Sequence, residues 1–117
     1  MEISEYQEKA RRTLKLLGDT QSDLEHMMYG LASEMGELMS MLKGHYVYGK
    51  EFDTTNFIEE LGDIAWFLVG ACTIMGIDAE EVFRKNIAKL RARYPEKFDS
   101  EHAINRNLDI ERKILEG

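Results

Sequence analysis

The strongest constraint on this chain is the run from Ile64 to Ile77, which carries no charged side chain. At 14 residues it is shorter than the ~20 needed to span a bilayer. It must therefore be covered by protein, either neighbouring helices or a second subunit. Helix signals frame it. Ser4 with Gln7, Ser22 with Glu25, Asn56 with Glu59 and Asp78 with Glu81 have capping-box spacing or a close variant. Gly18, Gly44, Gly49 and Gly76 stand where helices should stop, and Pro95 ends a fourth. The spacing predicts helices over 4–17, 22–43, 56–75 and 78–94, with a weaker one near 100–115. No useful stretch alternates with period two. The expected fold is all-α, a four-helix bundle with an extra C-terminal helix.

Charge restricts the partners. The chain has 117 residues and a formal charge of −7, so nothing about its overall field attracts a nucleic acid polymer. The distribution is uneven. Six bases and one acid between positions 84 and 97 give +5, and the nine bases and 21 acids elsewhere give −12. Such a segment either complements the dipole at a helix C-terminus or offers a local site for phosphate. Cys72 is the single cysteine, which rules out an intramolecular disulfide and suits a reducing compartment. The acidic start Met1–Glu5 lacks the order of a signal peptide. A cytoplasmic protein of one domain, spanning 1–117 and making no membrane contact, is the expectation.

Chemistry is concentrated in two stretches of the same form, Glu34-Met-Gly-Glu37 and Glu60-Leu-Gly-Asp63. Acids three apart on a helix are neighbours on one face. Glu34 borders the apolar stripe of Leu31 and Leu38, and Glu60 borders that of Phe57, Leu61 and Ile64. If the two helices pack antiparallel, four carboxylates converge. Mutual repulsion would then raise their pKa values unless a hard divalent cation neutralised them, and oxygen donors select Mg²⁺, Mn²⁺ or Ca²⁺. Gly36 and Gly62 each cost ~1 kcal/mol relative to alanine inside a helix. Close approach of the two helices, or of a ligand, is the expected compensation.

Glu34-x-x-Glu37, a spacer of 22 residues and Glu60-x-x-Asp63 resemble the signature of the all-α nucleoside triphosphate pyrophosphohydrolases, the MazG-like family. Glu59–Trp66, the segment Asn86–Pro95 and the loop with Lys43, Tyr48, Gly49 and Lys50 extend the resemblance over residues 20–106. It is closest to the short single-domain bacterial and phage members. The resemblance implies a bundle that converts a nucleoside triphosphate to the monophosphate and pyrophosphate. Glu34, Glu37, Glu60 and Asp63 would ligate Mg²⁺, with Mn²⁺ as a substitute, and Glu37 or Glu60 would act as general base. Asn86, Lys89 and Arg93, at i, i+3 and i+7, form a donor row for the substrate; Lys43 and Lys50 either join it or are solvated. The resemblance also implies a homodimer or homotetramer.

Two other readings remain open at the level of sequence. In one the chain is a non-catalytic helical regulator; in the other it is a related pyrophosphohydrolase acting on phosphoribosyl-ATP. Trp66 suits packing better than base stacking, and the histidines lack the spacing of a di-iron bundle. Asn105-Arg106 resembles a tail feature of the short family members and has no evident role in the sequence.

Overall fold

The computed structural model describes all residues, Met1–Gly117, and every element in it is helical. The order is α1 (Ile3–Arg11), α2 (Thr20–Tyr46), α3 (Thr54–Ile74), α4 (Ala79–Arg93), α5 (Ser100–Ile104) and α6 (Leu108–Glu116). They fall into two compact units, Met1–Ile77 and Asp78–Gly117. No single helix is long and apolar enough to cross a membrane.

Each helix starts on a side chain that accepts an otherwise unpaired N–H, except α1. For α2 and α3 these caps are Asp19 and Asp53, three residues ahead of the serine and asparagine the capping-box spacing selects. Ser22 and Asn56 instead donate their backbone N–H groups to those aspartates, at 2.8 and 3.0 Å. An ionised carboxylate on extended backbone is the stronger acceptor at a helix N-terminus. Asp78 caps α4 as the sequence indicates. Gly18, Gly49 and Gly76 have positive φ in the connections. Gly44 differs: it lies inside α2, buried under the aliphatic stem of Lys50.

In the first unit, α2 and α3 form an antiparallel hairpin. Its register is fixed by two notches. The Phe67 ring occupies the space a Cβ at Gly30 would need, and Met27 Sδ sits 2.5 Å from where a Cβ at Gly70 would stand. Residue numbers descend on α2 as they rise on α3, so the next level of the hairpin brings Glu34 to Glu60. Met27, Leu38 and Val69 are the buried apolar residues of this unit, and Met27 is fully enclosed. α1 ends at Arg11, six residues earlier than expected. The chain then returns alongside α3. The Trp66 indole N–H donates to Thr13 Oγ1 at 2.8 Å, Leu14 packs near Gly70, and Asp23 accepts the Leu17 N–H at 2.6 Å.

The apolar third helix is not covered all round within the chain. Leu61, Leu68 and Met75 remain 45%, 40% and 51% exposed on one stripe. Gly36 and Gly62 also have open space where a side chain would stand. Close helix approach is therefore not what they provide; Gly30 and Gly70 have that role.

In the second unit, the single C-terminal helix expected over 100–115 is two helices, broken at Asn105–Asn107, with Asn107 capping α6. α4 and α6 are joined by a buried charge cluster. Glu111 accepts from Arg93 at 2.8 Å and from Arg106 at 2.7 Å, and its side chain is 5% exposed. Hydrogen bonds from Arg93 and then Arg106 hold its carboxyl down at about 2. With a depressed folded value, this contribution to stability is present above the ordinary carboxylate range and is lost as pH falls toward about 2.

The notches yield a test. Gly30→Ala must displace Phe67 and should lower stability by about 1–3 kcal/mol in chemical denaturation. Gly36→Ala, with nothing to strike, should be neutral or stabilising by up to ~1 kcal/mol. Equal losses at the two positions would contradict the packing described.

Candidate functional site

The hairpin register places Glu34, Glu37 and Glu60 together: one carboxylate oxygen from each lies within 4.8 Å of the others. Two helices supply them. Glu34 and Glu37 are successive on α2, half-buried and exposed, and Glu60 on α3 is buried at 7% exposure. No lysine or arginine pairs with any of the three. Glu34 Oε2 and Glu60 Oε2 are buried without a hydrogen-bond partner. Orphaned acceptors of this kind are costly, more so when they carry charge.

The cost is visible in protonation. A hydrogen bond with Glu60, then burial, then the neighbouring Glu37 push the Glu34 carboxyl up to about 7. Below about 7 the Glu34 carboxyl is protonated, a proton standing in place of a countercharge. The donor set fits a hard divalent cation. It is all oxygen and anionic, it is close enough to share one ion, and two of its acceptors have no other use.

Asp63 lies outside this group. It is exposed, three residues beyond Glu60 on α3, and its charge acts on Tyr6. Burial first and Asp63 second raise the Tyr6 hydroxyl above its ordinary value. The expected four-carboxylate convergence is thus three carboxylates in this chain, with the fourth turned toward α1.

The remaining candidates have different surroundings. Lys43 is exposed and stands nine residues beyond Glu34, about 180° around α2. Lys50 is exposed, with its stem over Gly44. The Lys50 carbonyl accepts from His45 Nδ1 at 2.7 Å, which fixes the loop. Asn86 and Lys89 belong to the second unit, exposed and half-buried on α4. Arg93, on the same stripe, is held by Glu111 and stacks over Tyr94 at 5.7 Å. Arg106 is explained by the same acid, although only a buried Glu111 in a nondescript tail could have signalled it. Trp66 has a packing role, edge-on to Phe67 with ring centroids 5.0 Å apart. Sequence reasoning also passed over His26. Its ring meets Phe67 edge-on at 6.3 Å, and its Nδ1 is buried with no partner.

Comparison with known proteins gives the family. No curated protein and no solved structure matches the chain. A family model, the MazG nucleotide pyrophosphohydrolase domain, matches residues 22–98. That stretch is well over half of the chain and contains both acidic motifs and α4. The chain therefore belongs to the MazG nucleotide pyrophosphohydrolase family, whose members are hydrolases of phosphoanhydrides.

Proposed function

We propose that this protein is a Mg²⁺-dependent nucleoside triphosphate pyrophosphohydrolase, cleaving the α–β bridge of an NTP or dNTP to the monophosphate and pyrophosphate. The observation that supports it most is the cluster of Glu34, Glu37 and Glu60 with two buried oxygens left unpartnered. Glu34 and Glu60 would hold the cation, Mg²⁺ or its substitute Mn²⁺, and Glu37 would complete the site from the solvent side. Asp63, three residues from Glu60, would join as a fourth ligand. When bound, such a cation neutralises phosphate charge, polarises the phosphoryl group and acidifies a coordinated water.

The remaining steps belong to the protein. Glu37 is the exposed member of the cluster, so it can take the proton of the attacking water and pass it to solvent. Glu60 is buried and better suited to a fixed ligand than to proton exchange. The water oxygen forms a new bond to phosphorus as the bridging oxygen departs with the other phosphoryl fragment. Asn86 and Lys89 are the donors for substrate oxygens. Lys43 and Lys50 would serve phosphate from another subunit or after a loop movement. Arg93, engaged by Glu111, supports α4 rather than the phosphates.

The assembly is a homodimer or homotetramer in the cytoplasm, where its substrates are. Met28, Met35 and Met39 on α2 and Leu61, Leu68 and Met75 on α3 are each 39–54% exposed. At heptad-like spacing they form a surface that a second copy would cover.

Three measurements check this reading. Pyrophosphate release should be seen with some member of a panel of NTPs, dNTPs and phosphoribosyl-ATP. It should vanish with EDTA and fall by about 10²–10⁴-fold in Glu37→Gln. A folded protein without turnover on any nucleotide would refute an enzymatic role.

The second measurement follows from Glu34. Its folded pKa is raised, so in cation-free protein its contribution is full below the ordinary carboxylate value and is lost as pH rises through about 7. Mg²⁺ or Mn²⁺ replaces the proton. The rise in Tm on adding either should be larger at about pH 8 than at about pH 5.5; a pH-independent rise would mean binding elsewhere.

Light scattering at micromolar concentration should give a mass of at least two chains. A single-chain mass would overturn the assembly.

A further inference from the structure

A cavity of about 350 Å³ opens beside the first turns of α2, lined by Leu17, Ser22, Glu25, His26 and Tyr29. None of these residues belongs to the carboxylate cluster, and the reaction proposed above gives them no task. We propose that this cavity receives the base of the nucleotide, with His26 as its hydrogen-bonding residue and Tyr29 as its stacking surface. The inference rests on the pyrophosphohydrolase reading and names the part of the substrate that this site would select.

Polarity identifies the occupant. His26 Nδ1 is buried with no partner within the chain, and the imidazole lines the cavity. Its ring can supply an N–H to a ligand there. Glu25 is an acceptor beside it; one of its oxygens already takes the Gln21 amide at 3.1 Å, leaving the other for a ligand. The Ser22 hydroxyl is directed to Asp19 at 2.8 Å and offers only an acceptor. A carboxylate in the cavity repels phosphate, and there is no cation to offset it. An imidazole, a carboxylate acceptor and an aromatic face match a planar heterocycle that presents an acceptor next to an N–H, as nucleobases do. Tyr29 is 68% exposed, which leaves its ring face available.

Position connects the cavity to the chemistry. His26, Gly30, Ser33 and Glu37 follow at i, i+4, i+7 and i+11, one row along α2. Between the ends, Ser33 is exposed, while Gly30 is covered by the Phe67 ring and leaves the free path on the Ser33 side. Eleven residues span about 16 Å of helix axis, shortened by the reach of the two end side chains. That distance suits an extended nucleotide with its phosphates at the carboxylates and its base at His26. Phe67, seated on Gly30, holds the His26 ring edge-on and so fixes the donor direction.

The test separates base recognition from catalysis. Equilibrium binding of the α,β-methylene analogues of dGTP, dATP, dUTP and dCTP is measured alongside binding of inorganic tripolyphosphate, both with Mg²⁺. In His26→Leu, the Kd of the best-bound nucleotide analogue should rise about tenfold, the loss of one hydrogen bond and its partner. His26→Gln, which keeps an N–H donor, should recover most of it. Tyr29→Leu, at an exposed position with little bearing on folding, should weaken the same analogue by about tenfold. Tripolyphosphate binding should not change in any variant. Unchanged nucleotide binding, or an equal loss for nucleotide and tripolyphosphate, would overturn the proposal. The readout does not require turnover. Base-dependent binding lost at His26 in a protein that hydrolyses nothing would defeat the enzymatic reading and leave this site standing. Normal turnover with base recognition indifferent to His26 would do the reverse.

Discussion

Phe67 rests on the backbone of α2 at Gly30, and Met27 rests on the backbone of α3 at Gly70. These reciprocal contacts, one from each helix into the other, set how far the two helices slide and at what level they meet. A large side chain packed against a missing one leaves no neighbouring register of equal quality, because a shift by one turn would lose both notches. The carboxylate cluster follows from that register: Glu34 lies one turn beyond Gly30, and Glu60 two turns before Phe67. An energetically unfavourable concentration of acid is thus imposed by apolar packing elsewhere in the same interface.

The two acidic centres illustrate how environment sorts one chemical group into two roles. Glu111 is surrounded by guanidinium donors, remains charged far into acid, and ties α6 to α4. Glu34 is surrounded by other carboxylates, is pushed up to about 7 and lacks a partner for a buried oxygen. The first is satisfied within the chain and is structural. The second is left unsatisfied by any partner within the chain, and perturbed groups of this kind are concentrated at functional positions.

Much of this was legible in the sequence. Periodicity and cap residues locate the long helices, because amphipathic stripes and N-terminal acceptors are local properties. The paired acids stand out because two matched motifs on two helices are more specific than either alone. Other features depend on three-dimensional context. Asp19 and Asp53 outcompete the serine and asparagine that local spacing favours, since the backbone bends earlier than the pattern suggests. The glycines that matter for packing are Gly30 and Gly70, and nothing in one sequence marks them apart from Gly36 and Gly62. Asp63 has the spacing of a fourth cluster member yet faces Tyr6, a difference of one step around the helix. Arg93 reads as a phosphate cation until Glu111, 18 residues on, is seen to hold it.

The notched hairpin also governs which changes of length the chain can absorb. A single residue inserted within α2 between Gly30 and Glu34, or within α3 between Glu60 and Phe67, turns everything beyond it by about 100°. The packing could then be kept or the carboxylates could be kept, but not both. The connection from Val47 to Asp53 carries no such linkage, since it lies beyond the last residue either helix contributes to the cluster. Insertions and deletions among descendants of this sequence should therefore collect in that connection, while the interval from notch to carboxylate on each helix stays fixed in length.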